Sequence, residues 1–171
     1  MKNEVTVFFE RQSELIRHLL EVKELSLAQD AEQMLQKNLA LAAASYFEQH
    51  ICEILLSFVD SKSGGCVELR SLIESTAIKR HYHTMFDWEK KNVNKFLSLF
   101  GSEFKEKISA EIAADGALTK ASKDFLEIGN LRNCIVHQNY AAYITDKSAE
   151  EIFELFKNAV GFVTYLKNTL K

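Results

Sequence analysis

No proline occurs anywhere in the 171 residues. Proline punctuates helix interiors, so a chain without it can run long uninterrupted helices, and the breaks must come from glycine and polar turns. The apolar residues repeat at three- and four-residue steps almost everywhere, and strand-like alternation is scarce. The fold expected is therefore all-α. Apolar residues at 47% and charged residues at 26% supply a core and a soluble surface, so the chain should fold as one domain over 1–171.

The first helix is expected over 3–23, with Val5, Phe8, Phe9, Leu15, Ile16, Leu19 and Leu20 on its stripe. A second, long helix should run from about Ala28 to Val59, through Leu35, Leu39, Ala42, Tyr46, Ile51, Ile54, Leu55 and Phe58, and stop at Gly64-Gly65. A third spans 67–80, using Leu69, Leu72, Ile73 and Ala77. A fourth spans 87–100 and closes at Gly101. Ser102 should cap a short helix carrying Phe104, Ile108 and Ile112, and residues 113–116 should turn. The next helix begins near Thr119 and ends around His137. After a loop, Ser148 and Glu151 form a capping box for a last helix over 148–169.

Several function classes recede on composition. A net charge of −3 argues against indiscriminate coating of nucleic acid, although a local positive face remains compatible with RNA cleavage. Cys52, Cys66 and Cys134 are odd in number and form no CxxC pair, so each reads as a reduced, partly buried hydrophobe. No P-loop or GxGxxG is present, and no cofactor is expected. His81-x-His83 lacks further ligands at a useful spacing, and no metal site is expected. The polar start and the lack of a run of ~20 apolar residues suggest a cytoplasmic protein without membrane contact.

The chemistry is concentrated in Leu131-Arg132-Asn133-Cys134-Ile135-Val136-His137. An arginine, an asparagine and a histidine stand at the end of an otherwise apolar helix. Asn133 and His137 are four apart and share a face; Arg132 lies about 100° round from Asn133 and has a long reach. The helix dipole favours an imidazolium at the C-terminal end, and histidine can act there as base or acid. Arg132 offers a planar fork for a phosphate. The same pair also suits a plainer role, two cationic side chains satisfying a helix C-terminus. The neighbouring basic segment with Lys79, Arg80 and His83 is either a contact for RNA backbone or a solvated face.

Arg132-Asn133-x-x-x-His137 resembles the Arg-Asn-x-x-x-His motif of the HEPN superfamily. The early long helix with Ala43-Ala44-Ser45-Tyr46-Phe47-Glu48-Gln49-His50, the mid-chain segment 88–101 and the placement of the motif before a final helix are similar to the RiboL-PSP-HEPN branch, over roughly 30–170. The resemblance implies a helical bundle that dimerises and brings two motifs into one cleft. It implies a metal-independent endoribonuclease, a toxin or antiphage-defence effector, restrained by an antitoxin or defence-system partner. The ribose 2′-OH would attack the phosphate and leave 2′,3′-cyclic phosphate ends. By match of position Arg132 and His137 inherit catalytic roles and Asn133 a supporting one. An acidic or polar residue of the early long helix often faces the motif in this superfamily, and Glu48 is the candidate. The branch paired with nucleotidyltransferase antitoxins has tyrosine two residues after the histidine; here Asn139 holds that position and Tyr140 follows it. The alternative is a HEPN dimerisation or regulatory module that binds RNA, a nucleotide or a protein without turnover.

Overall fold

The structure is a computed structural model and describes residues 2–79 and 81–171. Among these there is no strand. Helices α1 (Glu4–Glu21) and α2 (Leu25–Ser63) form an antiparallel hairpin. α2 has 39 residues, and at 1.5 Å per residue it is about 58 Å long. It passes the expected limits at both ends because neither Gly nor Pro interrupts it before Gly64. That glycine takes a left-handed φ of 65° and returns its N–H to Asp60 O, a conformation an L side chain adopts only with strain. α1 touches α2 along one side only: Val5 is buried and Phe8, Phe9 and Ile16 pack on the core, but Leu15 and Leu20 are exposed.

The third helix is not continuous. α3 (Val67–Ile73) passes into a π-helical turn (Glu74–Ile78), closed by the i→i−5 bond from Lys79 N–H to Glu74 O. Leu69 and Leu72, expected in its stripe, are exposed, and the segment is anchored by Ile73 and Ile78.

The expected helix over 87–100 is also corrected. α4 (Tyr82–Met85) ends at extended Phe86, and residues 87–93 are turns. The polar run Glu89-Lys90-Lys91-Asn92 has no apolar face to bury. Asp87 O accepts from Lys90 N–H and Asn92 Oδ1 from Asn94 N–H, which closes these turns. Only then does α5 (Asn94–Leu97) begin, running into a 3-10 turn that stops at Gly101.

Gly101, not Ser102, is the cap of α6 (Ser102–Ala114). α7 (Gly116–His137) starts three residues earlier than expected because Asp115 Oδ1 accepts from the N–H groups of Ala117 and Leu118. The turn before it is therefore a single residue. α8 (Ala149–Thr169) has its capping box as expected: Glu151 N–H donates to Ser148 Oγ at 3.1 Å, and Ser148 N–H to Glu151 Oε2 at 2.8 Å.

α7 and α8 pack most extensively, and both lie on α2. Their shared core is aromatic. Phe47 of α2 meets Phe125 of α7 and Phe156 of α8, each at 5.4 Å between ring centroids, and Phe125 meets Phe162 at 5.2 Å. Phe86 extends this core, 5.0 Å from Phe125 and stacked on Phe96 at 4.6 Å. Truncating a buried phenylalanine costs about 3–5 kcal/mol, so this cluster holds the three long helices and the segment 82–100 together. It also fixes where α4 lies against α7.

Candidate functional site

Arg132 emerges from the buried flank of α7, between Leu131 and Ile135, and is half-buried. Its Nη1 donates to Asn133 Oδ1 at 3.1 Å, so the asparagine steadies the guanidinium. Its Nη2 stands 3.2 Å from Nε2 of His83 on α4. The same Nε2 faces Oε2 of Glu48 on α2 at 3.6 Å. Three elements thus converge on one charged cluster, Arg132–His83–Glu48, with the side chains of His83 and Glu48 41% and 39% exposed.

Burial pushes the His83 pKa below the ordinary histidine value; Arg132 pushes it the same way, and Glu48 opposes both. The histidine is therefore biased toward its neutral form. Its backbone is held by Trp88, whose Nε1–H donates to His83 O at 2.8 Å. The indole lies across Gly129 of α7: a Cβ there would overlap Cε3 and Cζ3 of the ring. Gly129 thus permits the approach that carries His83 to Arg132, one helical turn further on. The crevice between Tyr82, Trp88, Phe125, Gly129 and Arg132 has a volume of only about 10 Å³, room for a water and not for a ligand. The cluster is a surface feature, of a kind that meets an extended phosphate chain more readily than it encloses a small molecule.

His137 is the last residue of α7 and is exposed, and its ring takes part in none of the side-chain hydrogen bonds or ion pairs found among the described residues. It lies five positions after Arg132, about 7.5 Å of rise and about 140° of rotation in a regular helix. The structure does not bring the two into contact. Asn133 lies closer to His137 in rotation and bonds to Arg132, so it is the link between them.

Tyr140 belongs to a different group. Its hydroxyl donates to Asn38 Oδ1 at 2.8 Å, and its carbonyl accepts from Lys37 Nζ at 3.1 Å, with that ammonium also over its ring at 5.0 Å. Lys37 is only 6% exposed. These contacts tie the loop after His137 to α2. Asn139 Oδ1 accepts from Ala141 N–H and serves the turn itself.

The expected basic patch divides. His83 joins the cluster. Lys79 is exposed and pairs with Glu74 of its own helix at 3.0 Å. Arg80 lies outside the described residues. His50 turns away from Glu48, stacks on Tyr46 at 3.9 Å and lines a groove between α2 and α8. Of the cysteines, Cys52 and Cys134 are partly buried as expected, but Cys66 is exposed. The sequence reading missed Trp88, Gly129, Lys37 and Asn38. Only Gly129, a glycine inside a strongly helical stretch, carried a signal for a close approach.

Among the described residues no helix is long and apolar enough to cross a membrane. Searches of curated proteins and of solved structures gave no match. Residues 6–171 match the RiboL-PSP-HEPN family. HEPN domains are often RNases, and they often bind RNA and dimerise. A match across nearly the whole chain, on a helical fold that ends one long helix with Arg-Asn-x-x-x-His, makes this protein a member of the RiboL-PSP-HEPN family.

Proposed function

We propose that this protein is a metal-independent endoribonuclease, one domain over 1–171, working as a cytoplasmic homodimer in toxin–antitoxin or antiphage defence. The ribose 2′-OH is the nucleophile, so the chain needs to supply only proton transfer and charge stabilisation. Arg132 binds the scissile phosphate, and Asn133 orients it. His137, exposed at the helix end, transfers a proton; Glu48 supports the cluster electrostatically. Tyr140 sets the loop behind His137. Lys79 and Arg80 contribute contacts to the RNA backbone. The observation that carries this reading is the Arg132 guanidinium, held at an open surface by Asn133 and flanked by a titratable histidine–carboxylate pair.

The test is cleavage of end-labelled total RNA in EDTA by the wild type and by His137→Ala. Cleavage by the wild type alone, leaving 2′,3′-cyclic phosphate and 5′-OH ends, is expected. Equal cleavage by the variant would remove His137 from the mechanism. The separation of Arg132 and His137 around α7 favours a second reading, a HEPN module that binds RNA, a nucleotide or a partner protein without turnover. Binding with no cleavage at high protein concentration would establish that one instead.

A further inference from the structure

Cleavage by 2′-OH attack needs two proton transfers, one from the nucleophile and one to the leaving 5′-oxygen, and His137 supplies one proton-transfer group. Arginine has donors only, so its 3.2 Å contact with His83 requires a bare lone pair on Nε2 and the ring proton on Nδ1. A base is thus already in its working state, resting on the group that binds the phosphate. The same Nε2 looks toward Glu48 Oε2 at 3.6 Å, which becomes a favourable ion pair only once that nitrogen is protonated. Both protonation states have a partner in place. The groups facing His83 are Arg132 from α7, Glu48 from α2 and the Tyr82 ring of its own helix at 5.3 Å.

We infer that His83 is the catalytic base of this site, released when Arg132 turns from Nε2 to the scissile phosphate, with Glu48 stabilising the imidazolium that forms. This rests on the endoribonuclease reading. The 2′-OH proton passes to His83 Nε2, the O2′ electron pair forms the O2′–P bond, and the P–O5′ bond breaks with its electrons on O5′. Protonated His137 gives O5′ its proton. The products are a 2′,3′-cyclic phosphate and a 5′-OH, and the two histidines return to their starting states by exchange with water. The lowered pKa of His83 keeps the base form populated at neutral pH, in agreement with the geometry.

The experiment uses the full chain in EDTA with short RNAs holding either one ordinary phosphodiester or one bridging 5′-thio linkage, whose thiolate leaves without a proton. Wild type is compared with His83→Gln, His83→Ala and His137→Ala, each checked for a native melting curve. Glutamine keeps an acceptor for Arg132 and cannot act as base. His83→Gln should cleave both RNAs about 100-fold or more slowly. Added imidazole should partly restore His83→Ala, and His137→Ala should recover on the thio-linked RNA alone. A wild-type rate for His83→Gln beside an inactive His137→Ala overturns the inference and leaves the nuclease reading intact. Recovery of His83→Gln on the thio-linked RNA makes His83 the acid and overturns its assignment as base. Slow His83 variants that imidazole does not rescue reduce the residue to holding Arg132. A wild type inert on both RNAs overturns the nuclease reading and this inference together.

Discussion

Trp88 occupies the space in which a side chain at Gly129 would stand, so the indole and α7 meet at backbone distance. Alanine inside a helix normally stabilises relative to glycine by about 1 kcal/mol. Here the added methyl must displace a ring packed among Tyr82, Phe86 and Phe125, and overpacking of this kind costs about 1–3 kcal/mol. Gly129→Ala should therefore lower the denaturation midpoint. Trp88 is the chain's one tryptophan, so its emission should shift to the red as it is expelled. A more stable variant with unchanged emission would contradict this packing.

Arg132→Lys tests the fork separately from the charge. Lysine keeps the cation but cannot bond Asn133 and a phosphate from one rigid plane. Losing a preorganised transition-state donor costs about 10²–10³ in rate. A fall of that order in kcat, with RNA affinity largely retained, is expected in single-turnover cleavage. Wild-type kcat in the lysine variant would show that charge alone suffices.

The pH dependence has a sign fixed by the cluster. The folded pKa of His83 lies below the ordinary value of about 6.5, so its neutral form is retained down to lower pH and lost as pH falls through the depressed value. The acidic limb of the kcat/KM profile should thus fall below pH ~6.5. Glu48 raises this pKa, so Glu48→Gln should move the limb to still lower pH while reducing the plateau rate. A limb that moves upward would reverse the assigned electrostatics.

Tyr140→Phe removes the hydrogen bond to Asn38 and leaves the bond from Lys37 to the carbonyl. The cost should be about 1 kcal/mol, read by urea denaturation. RNA cleavage should fall less than tenfold, because Tyr140 steadies the loop and stands outside the Arg132 cluster. A loss as large as that of His137→Ala would move Tyr140 into the reaction itself.

The all-α fold, the long early helix, the end of α7 at His137 and the Ser148–Glu151 capping box were legible in the chain, because each follows from local spacing or a local cap. The motif and the candidacy of Glu48 were legible through resemblance. The helix expected over 87–100 failed where a tertiary contact outweighed helical spacing: Trp88 gains more by covering Gly129 than by continuing a helix with a polar run behind it.

What the sequence by itself determined is the set of elements and the residues able to do chemistry, since periodicity, caps and residue type act over a few positions. Only the tertiary structure decided that His83, and not Lys79, stands against Arg132, with Glu48 on the same nitrogen. His83 lies 49 positions before Arg132. Their meeting depends on how Phe86 and Trp88 pack against α7, and packing between distant segments is a property of the folded core rather than of any local pattern.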